Sequence, residues 1–183
     1  MHVELSIKGR SILFILSFLL SYHISTAQHI KLTCTEKELK NGKSQDPILV
    51  KTCYIKNFKF VETSYPDDVG RYFDSEHEVY GWVNNKYHKA VNSKVFNKDQ
   101  DKLVSIINER IQKEYKDDLA NPEVKDCLDG LDSIPTYKMN DFEISFFKNE
   151  IWFQVHWGLG SVCRAVDGSI VTFKITEVEK YLK

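Results

Sequence analysis

Apolar and polar residues alternate most clearly near the end of the chain. "DFEISFF" (141–147) places Phe142, Ile144 and Phe146 on one face, and "EIWFQVHW" (150–157) sets Ile151, Phe153, Val155 and Trp157 against Trp152, Gln154 and His156. A period of two marks a strand with one buried face, so the intervening "KN" reads as a tight turn. "GLG" then predicts a further turn, "SVCRAV" (161–166) a third strand, and "SIVTFKI" (169–175) a fourth. Asp167-Gly168 between them reads as a two-residue hairpin connection with positive φ at both positions. "TEVEKYL" ends this meander with a capping box from Thr176 to Glu179 and a helical turn burying Val178, Tyr181 and Leu182.

Over "DQDKLVSIINERIQKEYKDDLAN" (99–121) the period changes to three and four. Leu103, Ile106 or Ile107, Arg110 or Ile111, Tyr115 and Leu119 form one stripe, which predicts a long helix with one buried side. Asp99 stands where an N-cap belongs, Glu109 and Lys113 make an i,i+4 pair, and Pro122 stops the helix. A short helical turn around residues 123–128 carries Cys127. Residues 30–36 and 48–65 are rich in β-branched and aromatic side chains and read as strands, joined by the polar "KNGKSQDP" (40–47). The pattern is weakest over 66–97, with one further strand around 78–83. The expected fold class is α+β: an antiparallel sheet built from the N-terminal hairpin and the C-terminal four-strand meander, packed by one long helix and a short C-terminal helix.

The first residues change the picture of where this domain works. Lys8 and Arg10 precede the uncharged "SILFILSFLLSY", and "HISTA" puts small residues at Ser25 and Ala27. That order predicts a signal peptide over 1–27 and a single mature domain over 28–183, secreted or periplasmic. The apolar run is short for a membrane span, so no stable span is expected after processing, a retained anchor being the alternative. Without Lys8, Arg10 and Glu4 the remainder carries 23 basic and 25 acidic residues of scattered sign, which gives no electrostatic footprint for nucleic acid.

An oxidising destination gives the four cysteines a meaning. Cys34, Cys53, Cys127 and Cys163 read as two disulfides, since no C-x-x-C pair suggests a thiolate metal site. Cys34 and Cys53 lie equally far from the centre of the 40–47 loop, so a hairpin there sets them opposite each other. Cys127–Cys163 then ties a helical segment to a later strand, each bridge contributing ~3 kcal/mol.

Candidate chemistry is thin. Ser161 and Cys163 near His156 could suggest a nucleophile and base, but Ser161 lacks a G-x-S-x-G context and Cys163 is expected to be bridged. "DSEHE" (74–78) and His88 offer carboxylates and imidazoles without metal-ligand spacing, and read as a solvated acidic loop. No catalytic residue, metal or cofactor is assigned, and the chain leans away from being an enzyme. Aromatics are denser over 65–87: Tyr65, Tyr72, Phe73, Tyr80, Trp82 and Tyr87. Phe73 and Trp82 are expected in the core. Tyr65, Tyr72, Trp82 and Tyr87, with the outward-facing His156, are the candidate binding residues.

From residue 99 onward the order of helix, strands and terminal helix resembles a module of unknown function. That module is attached to peptidoglycan-deacetylase-type exported proteins and to the outer region of a lysozyme-sensing anti-sigma factor. The matching residues are Asp141-Phe142, Ile151-Trp152-Phe153, Gly158 and 175–182, over about half of the mature chain. "FQVHWGLGSVCRAVDG" replaces the module's core stretch, and no deacetylase metal motif is present. The resemblance therefore implies an α+β accessory module, not deacetylation. The function expected is an exported, non-enzymatic binding protein for another protein of the envelope or exterior. Its partner would be a lysozyme-like or toxin hydrolase, and its role inhibitor, sensor or immunity protein. The alternative is a glycan-binding or glycan-processing protein using the 65–88 aromatics and carboxylates.

Overall fold

The computed structural model describes residues 30–40, 46–66 and 73–183. The expected signal peptide, Tyr72 and residues 41–45 of the first loop lie outside them. Two antiparallel sheets form an α+β fold. The first has five strands in sequence order: β1 (Leu32–Leu39), β2 (Ile48–Ile55), β3 (Phe58–Pro66), β4 (Phe73–Val83) and β5 (Lys86–Ala90). The second has three: β6 (Glu143–Phe147), β7 (Glu150–Val155) and β8 (Ser169–Lys174). Helix α1 (Gln100–Leu119), the short α2 (Lys125–Leu128) and α3 (Ile175–Val178) complete it. The expected single sheet is thus two.

The N-terminal hairpin has the expected register. Cys34 faces Cys53 across β1 and β2, and the two are disulfide-bonded with Cα atoms 4.1 Å apart. The stretch 48–65, expected as one strand, is two strands that turn back at Lys56 and Asn57. Lys56 takes a φ of 50°, a left-handed conformation a non-glycine residue adopts at some cost, so no glycine announced the turn. Asn84 and Asn85, with φ of 50° and 61°, make the same reversal between β4 and β5. Asparagine tolerates this region because its side chain bonds locally.

The second sheet holds the core. Ile144, Phe146, Ile151, Phe153, Val155, Val171 and Phe173 alternate inward, as expected. Phe153, fully buried, lies within 6.0 Å of the rings of Phe96, Phe142 and Phe173. Helix α1 lays Leu103, Ile107, Ile111 and Tyr115 into this core. Asn108 is buried with them, accepting from the Tyr137 amide at 2.8 Å and donating to the Tyr137 carbonyl at 2.9 Å. It anchors the irregular 131–138 segment to the helix. Arg110, expected as an alternative stripe position, sits over the Phe173 ring and donates to the Thr172 carbonyl. Asp99 is at the N-cap position, but its carboxylate takes Lys102 rather than a helix amide, and Glu109 accepts from Ser105 rather than pairing with Lys113.

Three expectations near the end are corrected. "SVCRAV" is a 3₁₀ helix, Ser161–Val166, so the meander has three strands, not four. Its Cys163 is bridged to Cys127 of α2, which pins this segment against the helical layer instead of extending the sheet. Asp167-Gly168 is not a two-residue hairpin, since Asp167 has a φ of −83°. Its carboxylate instead accepts the amides of Trp157 (3.0 Å) and Leu159 (2.9 Å), holding the Gly158 turn. The last cap runs from the Lys174 amide to the Glu177 carboxylate at 2.7 Å, two residues before the expected Thr176–Glu179 box.

The sheets meet where Phe60 of β3 packs edge-on against Phe146 of β6, with centroids 4.9 Å apart. Lys56 reaches the Leu182 carbonyl, and Phe96 bridges to Leu182. No helix among the described residues is long and apolar enough to cross a membrane.

Candidate partner-binding face

Alternation decides which side of the five-stranded sheet is available. Cys53, Ile55, Phe60 and Val79 are buried on the inner side, so their neighbours Tyr54, Lys59, Val61, Glu78, Tyr80, Trp82, Tyr87 and Lys89 face outward. Cross-strand pairing then gathers them. Tyr54 pairs with Lys59, Lys59 with Tyr80, and Trp82 with Tyr87. Tyr87 is the hub, its ring 4.8 Å from Trp82 in an edge-to-face contact and 6.0 Å from Tyr54. The Lys59 ammonium lies 4.0 Å above the Tyr80 ring and 5.2 Å from that of Tyr87. The expectation that Trp82 is a core residue is overturned, for it is 46 % exposed. Its inner-face neighbour is Gly81, which leaves room for the Phe58 ring, and the tryptophan takes the outer side.

Charge frames the aromatics. Glu78 accepts from Lys89 and from the Tyr80 hydroxyl, both at 2.7 Å. The bond from Lys89, then that from Tyr80, holds the Glu78 carboxyl below its ordinary range. The same bonds push the Lys89 ammonium and the Tyr80 phenol upward. Lys89, Glu78 and Tyr80 thus form one polar chain that fixes the Tyr80 ring beneath Lys59. Tyr65 lies towards the other end of this face and donates to Glu76 at 3.4 Å, its phenol raised by desolvation and by that carboxylate.

The structure therefore brings Trp82 and Tyr87 together and sets Tyr65 apart on the same side. His156 belongs elsewhere. It is half-exposed beyond β7, with its Nε2 3.4 Å from Glu143 Oε2. His77 of β4, largely buried, approaches the same oxygen at 3.3 Å through Nδ1. The His77 imidazole first, and that of His156 after it, hold the Glu143 carboxyl below its usual value against the opposing effect of partial burial. "DSEHE" is accordingly not one loop. Strand alternation sends Glu76 and Glu78 outward and His77 inward, and among the described residues no three donors converge on a point that could hold a metal. Cys163, disulfide-bonded, is no nucleophile for His156.

Tyr54 and Lys59 were not singled out from the sequence. The available signal was the expected Cys34–Cys53 bridge, because a cysteine pair on one side of the hairpin puts Tyr54 on the other. Glu143 carried no signal, since its contact with His77 spans 66 positions and depends on how the two sheets meet. Compared with protein-family models, curated proteins and solved structures, the chain matches none of them.

Proposed function

We propose that this is an exported binding protein that recognises another protein through the outer face of its five-stranded sheet. One observation carries the reading: Tyr54, Trp82 and Tyr87 form a contacting ring cluster on one face of the five-stranded sheet, with Tyr54 and Trp82 among the exposed large side chains. Large rings in mutual contact lose little conformational freedom on binding, and tyrosine and tryptophan dominate protein-recognition hot spots. Two disulfides support an oxidising destination. The partner class that suits a small domain stapled by two disulfides is an envelope or extracellular hydrolase, lysozyme-like or toxin, which the chain would inhibit, sense or neutralise.

A glycan is the second reading, because exposed tryptophan and tyrosine rings also stack on sugars. The edge-to-face arrangement of Trp82 and Tyr87 favours the first: the pair presents a ridge rather than two coplanar plates. The test is capture by the full chain, produced oxidised, from envelope extract supplemented with lysozyme and cell-wall fragments. Stoichiometric retention of one protein by the native chain but not by the Tyr54→Ala/Trp82→Ala variant supports protein recognition. Retention of cell-wall fragments alone refutes it in favour of the glycan.

A further inference from the structure

Among the described residues the two sheets have four edges, and three of them are occupied or short. The β6 edge is closed by the first sheet and the turn after it, where His77 meets Glu143 and Asn92 donates to the Phe142 carbonyl at 2.6 Å. The β8 edge lies against helix α1, whose Arg110 donates to the Thr172 carbonyl at 3.2 Å. β5 runs only from Lys86 to Ala90 before a 3₁₀ turn at Asn92. β1 is the exception. It is exposed from Thr33 to Leu39, and no described strand pairs with its outer side. Its register steps evenly from Leu32–Ile55 to Leu39–Ile48 without a bulge, and it holds no proline. Bulges and prolines are two of the devices that blunt a sheet edge; charge is a third, and here charge selects what can add.

Cα spacing tells which main-chain groups are free. Antiparallel partners about 4.5 Å apart do not hydrogen-bond each other, whereas those about 5.5 Å apart do. Cys34 and Cys53 are 4.1 Å apart. Thr33, Thr35 and Lys37 therefore bond to β2, and Leu32, Cys34, Glu36 and Glu38 turn amide and carbonyl to the open side. The charged side chains of this edge are uncompensated. Lys37 and Glu38 pair with Val50 and Leu49, and Lys51, opposite Glu36, has its ammonium 3.9 Å from Glu62. Glu36 and Glu38 share the inner side with Cys34, while Lys37 shares the outer side with Thr33, the cross-strand partner of Tyr54.

We propose that β1 receives an extended segment of the protein partner as a sixth strand, with basic residues opposite Glu36 and Glu38 and an acidic one opposite Lys37. This rests on the protein-recognition reading above, and the added strand would continue the surface that runs from the ring cluster through Tyr54 and Thr33. A basic–acidic–basic pattern reads the same in both directions, so it serves parallel and antiparallel addition alike. A second copy of β1 does not supply it. Paired antiparallel about Thr35, β1 sets Glu36, Lys37 and Glu38 opposite Cys34, Thr33 and Leu32; paired about Glu36, it sets that carboxylate against itself.

The probe is a fluorescein-labelled peptide with a Thr-Val-Lys-Glu-Lys-Val-Thr core, compared with a Thr-Val-Glu-Lys-Glu-Val-Thr counterpart, against the full oxidised chain. The first should bind about tenfold more tightly than the second, and raising salt from about 50 to about 300 mM should erode the difference. Binding should slow amide exchange at Leu32, Cys34, Glu36 and Glu38. Glu36→Pro, which removes an outward amide and no bond to β2, should weaken both peptides. Glu36→Lys/Lys37→Glu/Glu38→Lys, confined to exposed positions, should invert the preference. Equal binding of the two peptides, a preference that the charge swap leaves unchanged, or new protection away from β1 overturns the inference. Sedimentation of the native chain as a dimer that Glu36→Pro returns to a monomer would assign the edge to a second copy and also overturns it. Loss of partner capture in Tyr54→Ala/Trp82→Ala but not in the charge-swapped variant would leave the aromatic-face reading standing and sink this one. The reverse pattern would sink the aromatic-face reading instead.

Discussion

The two sheets follow the same alternation rule and put it to different uses. In the three-stranded sheet every inward residue of β6, β7 and β8 is buried. In the five-stranded sheet burial fades across the strands. Cys53, Ile55, Phe60 and Val79 are covered, while β1 is exposed from Thr33 to Leu39. One sheet is a wall of the core, and the other is a platform attached to that core along part of one face. The part-exposed aromatics of the first sheet therefore contribute little to the core, whose rings lie in the second.

The sharpest way to break this contrast is to cut into the second sheet. Phe153→Ala should cost about 3–5 kcal/mol and lower the melting temperature steeply, since the cavity would open among three other rings. Gly168→Ala should be comparably damaging by a different route. Gly168 has a φ of 125°, and an added Cβ would fall 2.0 Å from the Val155 carbonyl oxygen. Asn108→Ala should follow at about 2–3 kcal/mol, because it strands buried backbone groups of Tyr137.

In the first sheet the same scale of change should stay local. Removing the Cys34–Cys53 bridge by Cys34→Ser/Cys53→Ala should speed amide exchange in β1 and β2 while β6 to β8 keep their protection. Loop-closure reasoning puts the global cost at no more than ~3 kcal/mol. Equal loss of protection in both sheets would show that the platform and the core unfold as one unit.

The smallest effect concerns the seam. The folded Glu143 carboxyl lies below its ordinary value because of His77 and then His156. The stability it lends is therefore complete above the unfolded carboxyl value of about 4.3 and is lost as pH falls through the lower folded value. Between about pH 5 and pH 3 the melting temperature of the native chain should fall more steeply than that of Glu143→Gln. Parallel slopes would remove this carboxylate from the acid response.

What was legible in the sequence was local. Alternation over 141–157 gave the β6–β7 hairpin and its buried face, and the symmetric placement of Cys34 and Cys53 gave the β1–β2 register. The turn at Lys56 was illegible because a left-handed lysine leaves no mark in composition. "SVCRAV" misled because β-branched residues suit a strand, while the bridge to Cys127 and the Asp167 clamp on Trp157 and Leu159 shape it as a 3₁₀ turn. Of the candidate site, Trp82 and Tyr87 were singled out as binding residues. Their assembly with Tyr54 and Lys59 needed the register of four strands.

We propose that recognition and stability are separable in this molecule, with the outer aromatic face bearing the first. The most direct measurement pairs thermal melting with partner capture for Tyr54→Ala/Trp82→Ala. Both side chains are part-exposed, so the melting temperature should stay within a few degrees of the native chain while capture of the protein partner is lost. Capture at the native level, with the fold equally intact, would contradict the claim and move the partner site off this face.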